Sequence, residues 1–263
     1  MRTTIRTLEK YKREGRPITC LTAYDAGFAR LLDAADIDVI LVGDSLGMVV
    51  QGHDTTLPVT IEQMIYHLEA VARGARRALL MADLPFLGDR DSATAVEQGG
   101  ALMRAGAQMV KVECRGSQSE LVHRMVAAGI PVCAHLGLTP QAVHQYGGYR
   151  VQGRGVVAAE QMQAEARALE VAGAQCLLLE SVPELLATRI THAAGVPVIG
   201  IGASPECDGQ VLVLQDVIGL TPKPPRFAQD FMAGAGSLAA AIAAYADAVR
   251  SRRFPVSGVH TFD

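Results

Sequence analysis

Gly106-Ala-Gln-Met-Val-Lys-Val-Glu-Cys114 holds the architecture of the chain in miniature. Gly106-Ala107 is the exit of a helix through a glycine. Met109–Cys114 is then a short apolar run of the kind that forms a strand buried on both faces. Lys111 and Glu113 interrupt it two positions apart, so both face the same side of the strand. A buried parallel strand that ends in charge delivers polar groups to the rim of a sheet.

The same pattern recurs along the chain. Strand-like runs occupy Ile18–Tyr24, Val39–Val42, Ala78–Ala82, Val132–Leu136, Cys176–Leu179, Val198–Ile201 and Val211–Leu214. Gly129-Ile130, Gly173-Ala174 and Gly195-Val196 repeat the helix exit, and Pro131 and Pro197 stand at strand starts, where a missing N–H does little harm. Thr60–Gly74 carries Ile61, Met64, Ile65, Leu68 and Ala72 on one helical stripe, opened by a Thr60/Gln63 capping box. Ser117 and Glu120 form a second box before Leu121, Val122, Met125 and Val126. Eight strands alternating with helices, without a composition break, predict one α/β domain over residues 1–263, a (β/α)8 TIM barrel. A doubly wound open sheet is the alternative, and the strand count favours the barrel. Too few residues separate the seventh and eighth strands for a helix, so that connection is irregular. Met1–Lys12 is polar and amphipathic, an N-terminal helix and not a signal peptide. Leu238–Val249 reads as a closing helix, residues 252–263 as a C-terminal tail, and Gly137–Gly155 as a long loop placed to cover a site.

A net charge of −3 offers no attraction to nucleic acid or an anionic membrane, and no apolar stretch approaches the roughly 20 residues of a membrane span. Cys20, Cys114, Cys133, Cys176 and Cys207 are odd in number, lack a Cys-x-x-Cys pair and lie in or beside apolar runs. They read as buried reduced thiols of a cytoplasmic protein.

In a parallel barrel the reactive face lies at the C-terminal ends of the strands. Asp44, Asp83 and Glu113 close the second, third and fourth strands, so three carboxylates converge on one side of the mouth. They would repel unless protons or a cation intervened, and Mg²⁺ is the hard divalent ion that suits them. Lys111 is either a structural ion-pair partner or an anchor for a substrate carboxylate or oxyanion; a Schiff base is also chemically open to it. Glu180 ends the sixth strand across from the acids, where apolar surroundings raise its proton affinity as suits a general base. His135 closes the fifth strand, to orient a loop or to move protons. Gly200-Ile201-Gly202-Ala203-Ser204 has the look of an anion-cradling turn. His53, His67, His123 and His192 have no metal-ligand spacing. The chemistry open to this set is enolisation of a metal-chelated 2-oxo acid followed by carbon–carbon bond formation.

Leu21-Thr-Ala-Tyr-Asp25, Val42-Gly-Asp-Ser-Leu-Gly-Met48, Gln51-Gly-His-Asp-Thr-Thr-Leu-Pro58, Ala82-Asp-Leu-Pro-Phe86, Lys111-Val-Glu113, His135-Leu-Gly-Leu-Thr-Pro-Gln141, Gly147-Gly-Tyr149 with Gln152-Gly-Arg154, and Cys207-Asp-Gly-Gln-Val-Leu-Val213 together resemble ketopantoate hydroxymethyltransferases. The resemblance implies a cytoplasmic homodecamer of barrels in pantothenate biosynthesis. It implies transfer of a hydroxymethyl group from 5,10-methylenetetrahydrofolate to 3-methyl-2-oxobutanoate through a Mg²⁺-stabilised enolate. It assigns Asp44 and Asp83 to the metal, with Glu113 direct or through water; Asp44, Ser45, Asp83 and Lys111 to the oxo acid; Glu180 as proton acceptor; and His135 as a helper. Gly88-Asp89-Arg90, Ser204 and Gln215 depart from the family's usual residues. Two rivals stand beside it. One is a metal-dependent 2-oxo acid lyase of the isocitrate lyase and phosphoenolpyruvate mutase type, whose Lys-Lys-x-Gly-His signature is absent here. The other is a catalytically silent barrel scaffold.

Overall fold

The computed structural model describes residues 2–116 and 118–263. Eight parallel strands close into a barrel in chain order: β1 Ile18–Thr22, β2 Val39–Val42, β3 Leu79–Asp83, β4 Met109–Glu113, β5 Val132–Gly137, β6 Cys176–Glu180, β7 Val198–Ile201 and β8 Gly209–Leu212. β8 pairs back to β1, with Ile18 opposite Gly209. No edge remains, which excludes the open-sheet alternative. All five cysteines are buried and free.

Helices follow the strands in the order the sequence patterns predict. α1 (Ile5–Glu14) precedes β1, with Leu8 buried. α2 (Ala26–Ala34) follows it, capped by Asp25, whose side chain accepts from the amides of Gly27 and Phe28. The short α3 (Leu46–Val49) and the long α4 (Ile61–Gly74) link β2 to β3. The Thr60/Gln63 capping box is formed at the start of α4. α5 (Ser92–Ala105) and α6 (Ser119–Ala127) come next. Gln118 occupies the cap position of α6 without a side-chain bond, and Glu120 pairs with Arg124 instead; Ser117 lies outside the described residues.

The loop after β5 is more ordered than its glycines suggest. It holds a 3-10 turn over Pro140–Ala142 and α7 (Val143–Tyr146), before α8 (Val156–Val171). α9 (Glu184–Ala193) connects β6 to β7, and no helix separates β7 from β8. β8 begins at Gly209, two residues before the apolar run, because Gly209-Gln210 resembles a turn in sequence yet pairs with β1 and β7. The short α10 (Leu214–Val217) and α11 (Leu238–Arg250) complete the outer layer.

Residues 252–263 form no helix or strand, yet they are packed against the body. Phe254, His260 and Thr261 are buried, and Glu184 holds the segment by accepting from Ser257 and Thr261 hydroxyls while its amide donates to the Phe262 carbonyl. This placement follows from aromatic burial: Phe254 packs edge-on against Phe231 and Tyr245.

The seam between β5 and β6 offers a test of the barrel's closeness. Gly137 has φ of 98°, and a Cβ there would lie 2.2 Å from the Glu180 carbonyl oxygen. Gly129 has φ of 85° with nothing within 4 Å. Gly129→Ala should therefore cost only the backbone term of about 1–2 kcal/mol. Gly137→Ala should cost about 1–3 kcal/mol beyond that, from overpacking against fixed backbone. Urea unfolding of both variants measures the difference; equal losses would contradict the close approach.

Candidate active site

Strand register assembles the charged groups. Asp83 on β3 stands opposite Lys111 on β4, and Glu113 on β4 stands opposite His135 on β5. Gly137 stands opposite Glu180 on β6. Asp44, Ser45, Asp83, Lys111, Glu113, His135 and Glu180 all line one cavity of about 580 Å³ at the C-terminal mouth of the barrel. The sequence-predicted residues are thus brought together without exception.

Lys111 lies at the centre of the charge. Its Nζ is 3.4 Å from Asp83 Oδ2 and 3.2 Å from His135 Nδ1. Among the described residues it is the only lysine or arginine within 4 Å of Asp44, Asp83, Glu113 or Glu180. Burial alone would discharge it, but Asp83, Glu113, Asp44 and Glu180 outweigh burial and hold its proton more tightly than usual. An ammonium can only donate, so His135 Nδ1 accepts and the imidazole proton sits on Nε2. Nε2 lies 3.4 Å from Glu180 Oε2, without hydrogen-bond geometry. Burial, then the adjacent Lys111 charge, keep His135 well below its ordinary pKa and therefore neutral.

The carboxylates show the opposite shift. Burial pushes Asp83 up to about 7, with Lys111 opposing and Asp44 adding to it. Burial likewise raises Asp44 and Glu113 against the pull of Lys111. Glu180 is pushed up to about 8 by burial, again opposed by Lys111. One ammonium does not compensate the buried Asp44, Asp83 and Glu113 and the partly exposed Glu180, so the site takes up protons at neutral pH.

Asp83 Oδ1 and Glu113 Oε1 are buried without a hydrogen-bond partner. Orphaned carboxylate oxygens beside excess negative charge suit a hard divalent cation. Among the described residues, no three His, Cys, Asp or Glu side chains lie together as a ready-made cage. A pair of carboxylates completed by water and substrate is the composition typical of Mg²⁺, and Asp44 with Asp83 fits it.

Gln141 is a residue whose role sequence reasoning missed. Its amide nitrogen donates to Asp44 Oδ2 at 2.8 Å and to the Leu84 carbonyl at 2.9 Å, while its backbone N–H donates to Glu113 Oε2 at 3.0 Å. It ties the ends of β2, β3 and β4 together from the loop after β5. Tyr24 was missed in the same way; its hydroxyl meets Ser45 Oγ at 2.9 Å. The signal was present only as membership in the Pro140-Gln141 and Tyr24-Asp25 motifs.

Other expectations are redirected. Gly202, in the glycine-rich turn after β7, has φ of 57°, and a Cβ there would lie 2.7 Å from Phe227 and 3.0 Å from Phe262. The turn is a seat for two aromatic rings that line the cavity. Asp89 is buried and accepts from Gln118 and Arg115, and Ser204 is buried against Thr188. Gln215 Oε1 is buried without a partner. His67 is bonded to the Tyr24 carbonyl through Nδ1.

A family model for ketopantoate hydroxymethyltransferase matches residues 2–257. The chain belongs to the ketopantoate hydroxymethyltransferase family. It is 55% identical over 253 residues to the 3-methyl-2-oxobutanoate hydroxymethyltransferase of Chromohalobacter salexigens, covering 96% of both chains. It is 57% identical over 254 residues to the enzyme of that name from Xylella fastidiosa strain M23, covering 96% of this chain and 93% of that one. Among solved structures, a putative phosphonomutase from Burkholderia cenocepacia superposes with a TM-score of 0.67 at 16% identity, over 82% of this chain and 95% of that one. At that identity the likeness concerns the barrel alone.

The raised proton affinity of Glu180 predicts a pH-dependent stability. A group at about 8 when folded and near 4.5 when unfolded contributes fully below 4.5, and its contribution is lost as pH rises through 8. Without added divalent cation, Glu180→Gln should match wild type in melting temperature at pH 5 and exceed it at pH 8.5. Melting curves with identical pH slopes would contradict the buried, proton-holding environment of Glu180.

Proposed function

We propose that this chain transfers a hydroxymethyl group from 5,10-methylenetetrahydrofolate to 3-methyl-2-oxobutanoate, forming ketopantoate and tetrahydrofolate with uptake of water. The observation that carries the reading is the pairing, in one cavity, of an under-compensated acid cluster with Glu180 at its far side. Family membership supports the oxo acid and the hydroxymethyl transfer, and the folate donor is part of the proposal.

Asp44 and Asp83 would hold Mg²⁺, with Glu113 acting through water. When bound, Mg²⁺ supplies Lewis acidity to the oxo acid's oxygens and makes the adjacent C–H more acidic. Lys111 and Ser45 anchor the substrate carboxylate, Lys111 by its fixed positive charge and Ser45 by a hydroxyl that Tyr24 orients. Glu180 takes the C3 proton. At about 8 it is a strong base once ionised, and positive charge at the acid cluster brings it toward that state at neutral pH. His135, neutral and held by Lys111, carries its proton on Nε2, 3.4 Å from Glu180 Oε2, and lies beside the base without bonding it. Water hydrolyses the two carbon–nitrogen bonds of the donor's methylene group, leaving tetrahydrofolate and a formaldehyde-level carbon. The freed electron pair at C3 adds to that carbonyl carbon, its C=O π bond opens, and the resulting alkoxide takes a proton to become the hydroxymethyl group.

The homodecameric, cytoplasmic state belongs to the same proposal. Val156, Val157, Val171 and Leu185 on α8 and α9 are exposed and offer apolar surface for assembly. No described helix is long and apolar enough to cross a membrane.

Incubation of the protein with Mg²⁺ and both substrates should yield ketopantoate, and chelation should abolish it. Glu180→Gln should lower C3 proton exchange of the oxo acid by about 100-fold or more, the usual scale of a general base, while Mg²⁺ still binds. Wild-type exchange in that variant would remove Glu180 as the base. Borohydride trapping of the oxo acid on Lys111 would replace this scheme with a Schiff-base one.

A further inference from the structure

The cavity has two unlike halves. The ends of β2 to β6 contribute Asp44, Asp83, Glu113 and Glu180, together with Lys111 and His135. The opposite wall, from β7, β8 and β1, contributes Ile201, Val211, Leu212 and Thr22, extended by Val213, Phe227 and Phe262. A five-carbon oxo acid engages the charged half and leaves the apolar half to a second, larger ligand.

Lys223 and Arg226 on that side are exposed, and Asp216 is the buried charged group among them. Asp216, on α10, is buried and lines the same cavity. Its Oδ1 accepts the Thr221 hydroxyl. Among the described residues its Oδ2 takes no hydrogen bond, and no lysine, arginine or histidine lies within 4 Å of the carboxylate. The nearby Arg226 is committed elsewhere, donating to the Val259 and Gly258 carbonyls. Burial raises Asp216 above its ordinary pKa, as expected of a carboxyl group lacking a cation. The segment needs no such group for its fold beyond the single Thr221 bond. The free oxygen is not sealed from the cavity that Asp216 lines, so a ligand's donors can reach it.

The walls around it carry two aromatic rings. Phe227 and Phe262 close in over Gly202, where a side chain would displace them. Glu184 and Arg154 hold the Phe262 segment through its backbone, at the Phe262 amide linkage and the Asp263 carbonyl. A reduced pterin is a planar-edged heterocycle whose N3–H and 2-amino group point the same way, the donor pair that a carboxylate accepts in a fork. We propose that Asp216 is the recognition residue for the pterin ring of the one-carbon donor, accepting from N3–H and the 2-amino group while Phe227 and Phe262 flank the ring. The inference rests on the hydroxymethyl transfer proposed above and gives the donor its own subsite, across the barrel from the acid cluster.

The test is equilibrium binding of tetrahydrofolate and of 2-desamino-2-methyltetrahydrofolate, which lacks the amino donor. Wild type should bind tetrahydrofolate about tenfold or more tightly than the analogue, the scale of a lost charge-assisted bond. Asp216→Asn keeps the volume and the Thr221 acceptor, and should weaken tetrahydrofolate by about tenfold or more and the analogue, which keeps only the N3–H donor, by a clearly smaller factor. Binding of 3-methyl-2-oxobutanoate to the variant marks a folded site. Equal affinity of wild type for the two ligands, or equal weakening of both by Asp216→Asn, would overturn the assignment. Failure of wild type to bind tetrahydrofolate at all would instead overturn the donor named for the reaction, and this subsite with it.

Discussion

A single ammonium group, Lys111, sits among three buried carboxyl groups and the partly exposed Glu180, and the chemistry of the barrel mouth follows from that imbalance. Closure of the sheet removes Asp44, Asp83, Glu113 and Glu180 from water, and burial raises the proton affinity of each. Lys111 opposes the shift at all four, but one unit charge cannot cancel it. The same ammonium fixes the tautomer of His135 by donating to Nδ1. The proposed metal binding by the pair at the ends of β2 and β3, the proposed anchoring of an anionic substrate and the proposed base on β6 would all follow from one electrostatic arrangement.

Geometry in the mouth comes from elements that carry no charge of their own. Register sets Asp83 against Lys111 and Glu113 against His135, so a slip of one residue in β4 would turn both charges into the helix layer. Gln141 crosslinks three strand ends from the loop after β5, holding Asp44 and Glu113 by separate donors. On the opposite side, the absence of a helix between β7 and β8 leaves room for the rings of Phe227 and Phe262 against Gly202. The final residues of the chain therefore belong to the wall of the cavity.

Much of this was legible before any coordinates, because strand burial and strand termini are local properties. Val39–Val42 and Val198–Ile201 have the bounds their apolar runs predict, and the Thr60/Gln63 box is formed. Asp83, Glu113 and Glu180 end strands, Asp44 closely follows one, and Lys111 and His135 lie two residues inside the ends of theirs, so all six share a cavity. What escaped depends on distant pairings. Gly209-Gln210 looks like a turn until β1 and β7 pair with it. Gln141 is an ordinary loop amide until Asp44, 97 positions away, accepts its hydrogen bond. Residues 252–263 have no periodicity, and only Glu184 and the aromatic cluster show why they are ordered.

The imbalance around Lys111 is best tested by counting protons. Mg²⁺ titrated calorimetrically into cation-free protein at pH 7, in buffers of differing ionisation enthalpy, reports the protons displaced per ion bound. With Asp83 near 7 and Glu180 near 8, binding should release about one proton, falling toward none as the pH is raised past both groups. Binding at pH 7 with no proton release would mean that the carboxylates are already ionised, and would contradict the account.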